Sequence, residues 1–214
     1  EPRREYWRSI PRSVLLGEGK DAGGKDVNAE KLFEEICAKA GEVYLGPHSH
    51  LGRSYVFGFP RKMQPKAFGK ALDALCRELG EGNGHQEHPR LPDQKDAKLD
   101  IVIWKEFPDH RPGKLIIFGQ CATGNNWSDK ISELPPPEGW CRNWMQGAPL
   151  VSPMRAFFVP HRIDPDDWKT ACIYGGILFE RCRIAALASK LGKTMKMQWC
   201  HWSEVALKKI RKGT

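Results

Sequence analysis

Apolar residues recur at two different spacings along the chain, and these spacings predict alternating helices and strands. Helical spacing predicts a first helix over about residues 29–44, ended by Gly46-Pro47, and a second over about residues 65–79, stopped by Gly80. The run SYVFGF, residues 54–59, is rich in β-forming residues and predicts a strand between them. The first third of the chain is therefore predicted as helix, strand, helix.

The middle of the chain contains two nearly continuous apolar runs, LDIVIW and KLIIFGQC, separated by the turn-forming segment FPDHRPG. Runs of this kind predict strands that are covered on both faces, here over residues 99–104 and 114–121. A short helix over residues 126–134, ended by three prolines, is predicted to follow. The pattern then predicts a strand over residues 155–161.

The last quarter is predicted to be helical and basic. Asp164-Pro165 opens a long helical pattern over about residues 166–191, which Gly175-Gly176 interrupts. Residues 194–202 predict a final or edge strand, and residues 205–212 a basic helical end. The whole order predicts an α/β fold with a mixed β-sheet flanked by helices.

We expect one domain over residues 1–214, with a basic, Gly-rich lead-in (1–27), a core (28–161) and a C-terminal helix with a basic end (162–214). The chain begins with Glu1 rather than Met, which fits a trimmed chain or a piece of a longer one. No run approaches the ~18 apolar residues of a membrane span, and no signal-peptide pattern is present.

A net charge of +8 favours a polyanionic partner, nucleic acid first, although a solvated basic surface would give the same charge. Basic residues concentrate after residue 190, close to Trp199 and Trp202, which suits contacts with phosphates. The candidate DNA-binding residues are Arg53, Lys193, Lys196, Lys208 and Lys209.

Cysteine usage indicates a reducing compartment, and we expect a cytoplasmic protein. The seven cysteines include no CxxC pair, and Cys200-His201 lacks the second ligand pair of a zinc site. Four others lie in apolar helical patterns and are predicted as small core residues: Cys37, Cys76, Cys172 and Cys182.

The two apolar strands place an acid and an amide at one end of a predicted hairpin. If Trp104 pairs with Ile116, Asp100 falls opposite Gln120, and opposed residues share a face. Carboxylate and amide oxygens are hard ligands that suit Mg²⁺ or Mn²⁺, which can activate water to hydrolyse a phosphodiester. In a plainly structural interpretation, Asp100 caps a strand and Gln120 hydrogen-bonds a neighbouring backbone.

A lysine that assists such chemistry would fall two residues after Gln120, where a strand returns to the same face, but that residue is Ala122. Lys130 is the substitute candidate. It lies three residues after Trp127 on the short helix, on the flank of the apolar stripe, from which a long side chain can reach the sheet edge. The alternative is a surface lysine on an amphipathic helix.

An Asp, a turn and strand ending in Gln, and a following helix resemble the PD-(D/E)xK nuclease superfamily, in the branch where Gln replaces the second acid. The resemblance covers roughly residues 29–161 and implies a restriction-endonuclease-like fold. It also implies that Asp100 and Gln120 bind the metal and that Lys130 is a migrated lysine. The segment LFEEIC resembles the family's first helix and makes Glu34 the candidate third ligand, with Glu30 nearer the edge of the apolar stripe.

The leading hypothesis is a Mg²⁺- or Mn²⁺-dependent endonuclease acting on DNA, with RNA left open, in an anti-phage defence setting that the resemblance suggests. Ala122 motivates the alternative, a non-catalytic nucleic-acid-binding module that keeps the nuclease fold. An interaction domain of a larger defence complex is a third hypothesis. Trp140 and Trp144 could stack on bases or pack in the core.

Overall fold

The computed structural model of the protein describes residues 19–20, 26–27, 29–46, 51–61, 64–87 and 94–191. The Cys200-His201 pair, the predicted last strand and the predicted basic helical end lie outside these residues. So do four of the candidate DNA contacts, Lys193, Lys196, Lys208 and Lys209.

A five-stranded mixed sheet forms the centre of the fold. Its strands, in spatial as well as chain order, are β3 (Gly52–Val56), β4 (Ile101–Lys105), β5 (Leu115–Cys121), β6 (Met154–Phe158) and β7 (Ile177–Phe179). β3, β4 and β5 run antiparallel to one another, whereas β5, β6 and β7 run parallel. A separate two-stranded sheet pairs β1 (Gly19–Lys20) with β2 (Asp26–Val27), in a stretch that the sequence predicted as a loop.

Helices cover both faces of the five-stranded sheet, which confirms the α/β prediction with a mixed sheet. They are α1 (Ala29–Leu45), α2 (Phe68–Leu79), α3 (Trp127–Lys130), α4 (Pro137–Trp144), α5 (Pro165–Gly175) and α6 (Arg181–Ala188). The first two predicted helices are confirmed, although α2 begins three residues later than predicted. Ala67 is extended at the start of α2, and Gly80 ends it in the left-handed conformation.

The two faces of the sheet bury different sets of side chains, because side chains alternate along a strand. Odd-numbered residues of β4 and β5 pack against α1 and α6, in a cluster that includes Phe33, Cys37, Ile101, Ile103, Ile117 and Ile184. Even-numbered residues pack against α2 and α4, in a cluster that includes Leu72, Leu75, Val102, Trp104, Ile116, Phe118, Trp140 and Trp144. The core interpretation of Trp140 and Trp144 is therefore confirmed, and base stacking by them is wrong.

The predicted hairpin register is confirmed: Trp104 pairs with Ile116, and Ile101 pairs with Gly119. Asp100 immediately precedes the first paired residue of β4, and Gln120 is the next residue of β5 after Gly119. The two therefore come to the same end of the sheet.

The predicted long helix over residues 166–191 is wrong in one respect. A strand, β7, separates α5 from α6 and extends the sheet beyond the predicted core boundary at residue 161. Gly176 makes this turn possible, because it adopts a left-handed φ of +76° against the backbone of Arg155. The helix α4 was not predicted from the sequence, because the proline run predicted only the end of the preceding helix. In the structure Pro137 is the first residue of α4, a position where proline is favourable.

Replacing Gly176 with alanine should destabilise the protein by about 2 to 4 kcal/mol. An added Cβ would lie 2.2 Å from the carbonyl oxygen of Arg155, in addition to the strained φ. Gly113→Ala is the matched control, since Gly113 has a φ of +94° but no atom within 4 Å of an added Cβ. Urea unfolding of both variants separates the clash from the strain, and equal effects would contradict the close approach at Gly176.

Predictions about individual cysteines are confirmed for Cys37 and Cys76, which are buried, whereas Cys172 is half-buried. The prediction for Cys182 is wrong, because it lies on the outer side of α6, where Ile184 takes the buried position. Within the described residues, no helix combines the length and apolar character needed to cross a membrane.

Candidate functional site

Backbone hydrogen bonds fix Asp100 at the end of the sheet. Its carbonyl oxygen accepts hydrogen bonds from Phe57 N (2.7 Å) and Gly58 N (2.8 Å), and its own N–H donates to the Gly119 carbonyl (3.0 Å). Its carboxylate Oδ2 accepts a hydrogen bond from Cys121 N at 2.7 Å. The carboxylate thus caps the end of β5, as the structural interpretation of the sequence expected, and Asp100 is half-buried.

Glu34 meets Asp100 at a single point beside Gly58. Glu34 is buried on α1, and a Cβ added to Gly58 would lie 2.7 Å from its Oε2 and 3.0 Å from Asp100 Oδ1. Oδ2 of Asp100 caps β5, but the cap does not explain why Oδ1 lies near Glu34 Oε2. Two carboxylates from distant parts of the sequence therefore lie side by side at Gly58.

Lys31 supplies a positive charge to this pair of acids. It lies one helical turn before Glu34, is 5% exposed, and its Nζ lies 2.8 Å from Oε1 and 2.7 Å from Oε2 of Glu34. A charged side chain is rarely buried without a partner, and this contact provides one. One lysine nevertheless faces two carboxylates.

The two acids are harder to ionise than ordinary carboxyls. Burial raises the pKa of Glu34 from 4.5 to about 7, against the opposing attraction of Lys31. Burial, followed by repulsion from Glu34, raises the pKa of Asp100 well above its usual value. Because both shifts disfavour negative charge, a cation bound between the carboxylates would relieve an unfavourable state at neutral pH.

These shifts predict that the protein without bound cation loses stability as the pH rises. The folded protein holds the Glu34 proton more tightly than the unfolded chain does, so this stabilisation is complete below pH 4.5 and disappears as the pH rises through about 7. For Glu34 alone the loss is about 3 kcal/mol.

Urea unfolding in EDTA at pH 5 and pH 7.5 measures this effect. Glu34→Gln is the control, since its free energy of unfolding should fall less over the same interval. An equal dependence on pH in the variant and the wild type would contradict the assignment to Glu34.

Gln120 lies at the same sheet end but points to the opposite side. It is 4% exposed, its Oε1 accepts a hydrogen bond from Leu134 N (3.1 Å), and its Nε2 lies 3.5 Å from Glu133 Oε2. Gln120 is on the face covered by α2 and α4, whereas Glu34 comes from the α1 face. The structure therefore brings Asp100 together with Glu34 and leaves the Gln120 amide bonded to the segment after α3.

The other candidates from the sequence are more distant or more exposed. Lys130 is half-buried at the end of α3, and no side-chain hydrogen bond or ion pair joins it to Asp100 or Gln120 in the described part of the chain. Glu30 is exposed, which leaves Glu34 as the acid of α1 that faces Asp100.

Arg53 is exposed on β3 and pairs with Trp104 of β4. Because Trp104 lies four residues after Asp100, the strand places Arg53 roughly 13 Å from Asp100. Ala122 is buried in an apolar cluster with Ile131 and Phe157.

Four charged residues near this sheet end were not predicted as site residues from the sequence: Lys31, Asp96, Lys98 and Glu133. Lys98 Nζ contacts Glu133 Oε2 at 2.9 Å, and its amine also interacts with the charge of Asp100. Asp96 accepts hydrogen bonds from Phe59 N and Lys98 N, and it adds to the repulsion on both buried acids. Lys31 could have been suggested by its spacing of three residues from Glu34. Lys98 and Glu133 are far apart in sequence, and no sequence signal connects them.

The donor set at Asp100 and Glu34 suits a hard divalent cation, since it offers carboxylate oxygens side by side with excess negative charge. Within the described residues, no group of three or more His, Cys, Asp or Glu side chains is arranged to hold a metal ion. The two carboxylates would therefore bind a cation only with further ligands, such as water or a phosphate oxygen.

No family model, curated protein or solved structure matches this chain.

Proposed function

We propose that the protein is a divalent-metal-dependent endonuclease that hydrolyses DNA and has a restriction-endonuclease-like fold. One observation carries the proposal: the carboxylates of Glu34 on α1 and of Asp100, immediately before β4, converge beside Gly58. The order of elements around them, with a helix carrying Glu34 and a hairpin carrying Asp100 and Gln120, supports the same resemblance.

Asp100 and Glu34 are the residues that would hold Mg²⁺ or Mn²⁺. A bound divalent cation would supply an activated water and would neutralise charge on the phosphate. The chain's own contribution is positional. Cys121 N–H and the backbone around Gly58 fix Asp100, and Lys31 fixes Glu34, so the ligands are held before any substrate arrives.

Roles for Gln120 and Lys130 remain part of the proposal on the strength of the resemblance. Gln120 could join the ligand set only by giving up the hydrogen bond from Leu134 N. Lys130, on a four-residue helix, would have to turn its side chain toward the sheet end. The proposal therefore depends on Asp100 and Glu34 first.

Plasmid nicking tests the proposed function. Supercoiled DNA is incubated with the protein in Mg²⁺, Mn²⁺ or EDTA, beside Asp100→Ala prepared identically. Nicking that requires the metal and the Asp100 carboxylate is expected. Equal nicking by both proteins, or none with either metal, would overturn the proposal.

A non-catalytic nucleic-acid-binding module, acting alone or within a larger defence complex, is the second candidate. It is favoured by the commitment of the Gln120 amide to Leu134 and by the apolar burial of Ala122 at the position where a lysine was expected. Such a module would bind DNA in a salt-dependent way, equally well with and without divalent metal. We also propose a cytoplasmic setting and a role in anti-phage defence.

A further inference from the structure

Lys98 carries an exposed amine beside the sheet end that bears Asp100. Its side chain is 58% exposed, and its Nζ forms a 2.9 Å ion pair with Glu133 Oε2. That same oxygen lies 3.5 Å from Gln120 Nε2, and Lys98 precedes Asp100 by two residues, close enough for the two charges to interact. Within the described residues, Lys98 therefore connects the Gln120 side of the sheet end to the segment that carries Asp100.

The backbone that carries Lys98 is held in an unfavourable conformation. Ala97 and Lys98 are consecutive non-glycine residues with φ values of +51° and +68°. Side chains with a Cβ rarely adopt this conformation, and an ordinary surface loop would use glycine or asparagine there. The conformation places Lys98 beside Glu133 immediately before the chain enters β4.

Three hydrogen bonds hold this conformation. The indole N–H of Trp140 donates to the Ala97 carbonyl at 3.0 Å, Lys98 N donates to Asp96 Oδ1 at 3.0 Å, and Leu99 N donates to the Asp96 carbonyl at 3.0 Å. Trp140 itself is completely buried in the core. The position of Lys98 is therefore set by the folded core.

The ion pair of Lys98 with Glu133 is weak enough to be exchanged. An exposed pair of this kind contributes little to stability, because water and salt screen it. A backbone phosphate is a strong acceptor for an ammonium group and could replace the Glu133 carboxylate. Exchange leaves Glu133 able to contact Gln120 Nε2, so no buried polar group loses its partner.

We propose that Lys98 exchanges Glu133 for a backbone phosphate of DNA and so contacts the substrate at the Asp100 site. The inference rests on the proposed function for its substrate. In this proposal Lys98, which precedes Asp100, supplies the amine that position 122 lacks. The sequence analysis had instead suggested Lys130, which follows Gln120.

The surrounding charges add a condition to this contact. Glu34, Asp96, Asp100 and Glu133 all act on this region, and Lys31 and Lys98 oppose them within the part of the chain that the structure describes. Carboxylates in excess repel a phosphate. Binding at Lys98 therefore requires a divalent cation between the acids.

Fluorescence anisotropy with a labelled DNA duplex tests the proposal, in Ca²⁺ and in EDTA, over a range of salt concentrations. Lys98→Met should weaken binding in Ca²⁺ about 5- to 10-fold and lower the salt dependence by about one ion equivalent. Lys98→Arg should restore most of the affinity. Thermal unfolding should be unchanged, because the side chain is exposed.

Lys130→Met and Lys169→Met are the charge-matched controls. Lys130 is the competing candidate, and Lys169 is exposed on α5. Equal weakening by all three variants, a larger effect of Lys130→Met, or no Ca²⁺-dependent binding by the wild type would overturn the proposal. Normal wild-type binding that depends on Lys98, with no nicking of plasmid, would leave the Lys98 contact intact and overturn the nuclease function instead.

Discussion

Asparagine in place of Asp100 is expected to abolish metal-dependent nicking and, at the same time, to stabilise the protein at pH 7.5. Nicking should fall at least about 100-fold, because the site would lose one of its two converging carboxylates. Stability should rise because burial and Glu34 raise the pKa of Asp100, so its ionised form opposes folding at this pH. The amide oxygen of asparagine can still accept the hydrogen bond from Cys121 N, so the cap on β5 is retained.

The opposite signs of these two effects distinguish a ligand-binding acid from a structural one. Thermal unfolding with and without Mn²⁺ provides the second measurement, and the increase in Tm caused by Mn²⁺ should be lost in the variant. A fall in stability together with unchanged nicking would show that Asp100 acts only as a strand cap. Lys169→Met serves as a control, since Lys169 is exposed on α5 and its replacement should leave the Mn²⁺-dependent increase in Tm unchanged.

Replacing Gly58 with alanine should disable the same site without removing any charged group. The new methyl group would lie 2.7 Å from Glu34 Oε2 and 3.0 Å from Asp100 Oδ1. Because these distances are too short, at least one of the two carboxylates must move away. Small displacements of ligands have large effects on metal-assisted chemistry, so we expect a loss of at least about 10-fold in nicking. Mn²⁺ affinity measured by calorimetry should fall in parallel.

Gly139→Ala is the matched control for this prediction. An added Cβ at Gly139, on α4, would meet no atom within 4 Å, and alanine is the better residue in a helix. The Gly139 variant should therefore nick DNA like the wild type. If Gly58→Ala retained full nicking and full Mn²⁺ affinity, the convergence of Glu34 and Asp100 would have no functional meaning.

The sequence was sufficient to predict the two strands of the central hairpin and the register between them. Continuous apolar runs and the turn between them allow few alternatives, and the pairing of Trp104 with Ile116 is confirmed. The prediction that the side chains of Asp100 and Gln120 share a face of the sheet was less successful. Opposed residues share a face only within paired strands, and Asp100 lies just before β4. Its carboxylate contacts Cys121 N and lies on the α1 side, beside Glu34.

Other parts of the site depend on contacts between residues far apart in the sequence. Glu34 is buried and Glu30 is exposed, although Glu30 lies nearer the edge of the predicted apolar stripe. The meeting of Lys98 with Glu133 depends on two left-handed residues and on the indole of Trp140. The strand β7 was hidden because Ile-Leu-Phe continues the apolar content of the helices on either side.

The hydrogen bond from Trp140 to the Ala97 carbonyl has an evolutionary consequence. The ring packs edge-on against Phe57, Phe68 and Phe118, so its size is fixed by the core, while its N–H fixes a turn at the protein surface. A lineage that replaced Trp140 with another aromatic residue could keep the core but would release residues 97–98. We therefore expect positions 140, 97 and 98 to have changed together during descent, and a set of homologous sequences would show this as covariation between a core position and two surface positions.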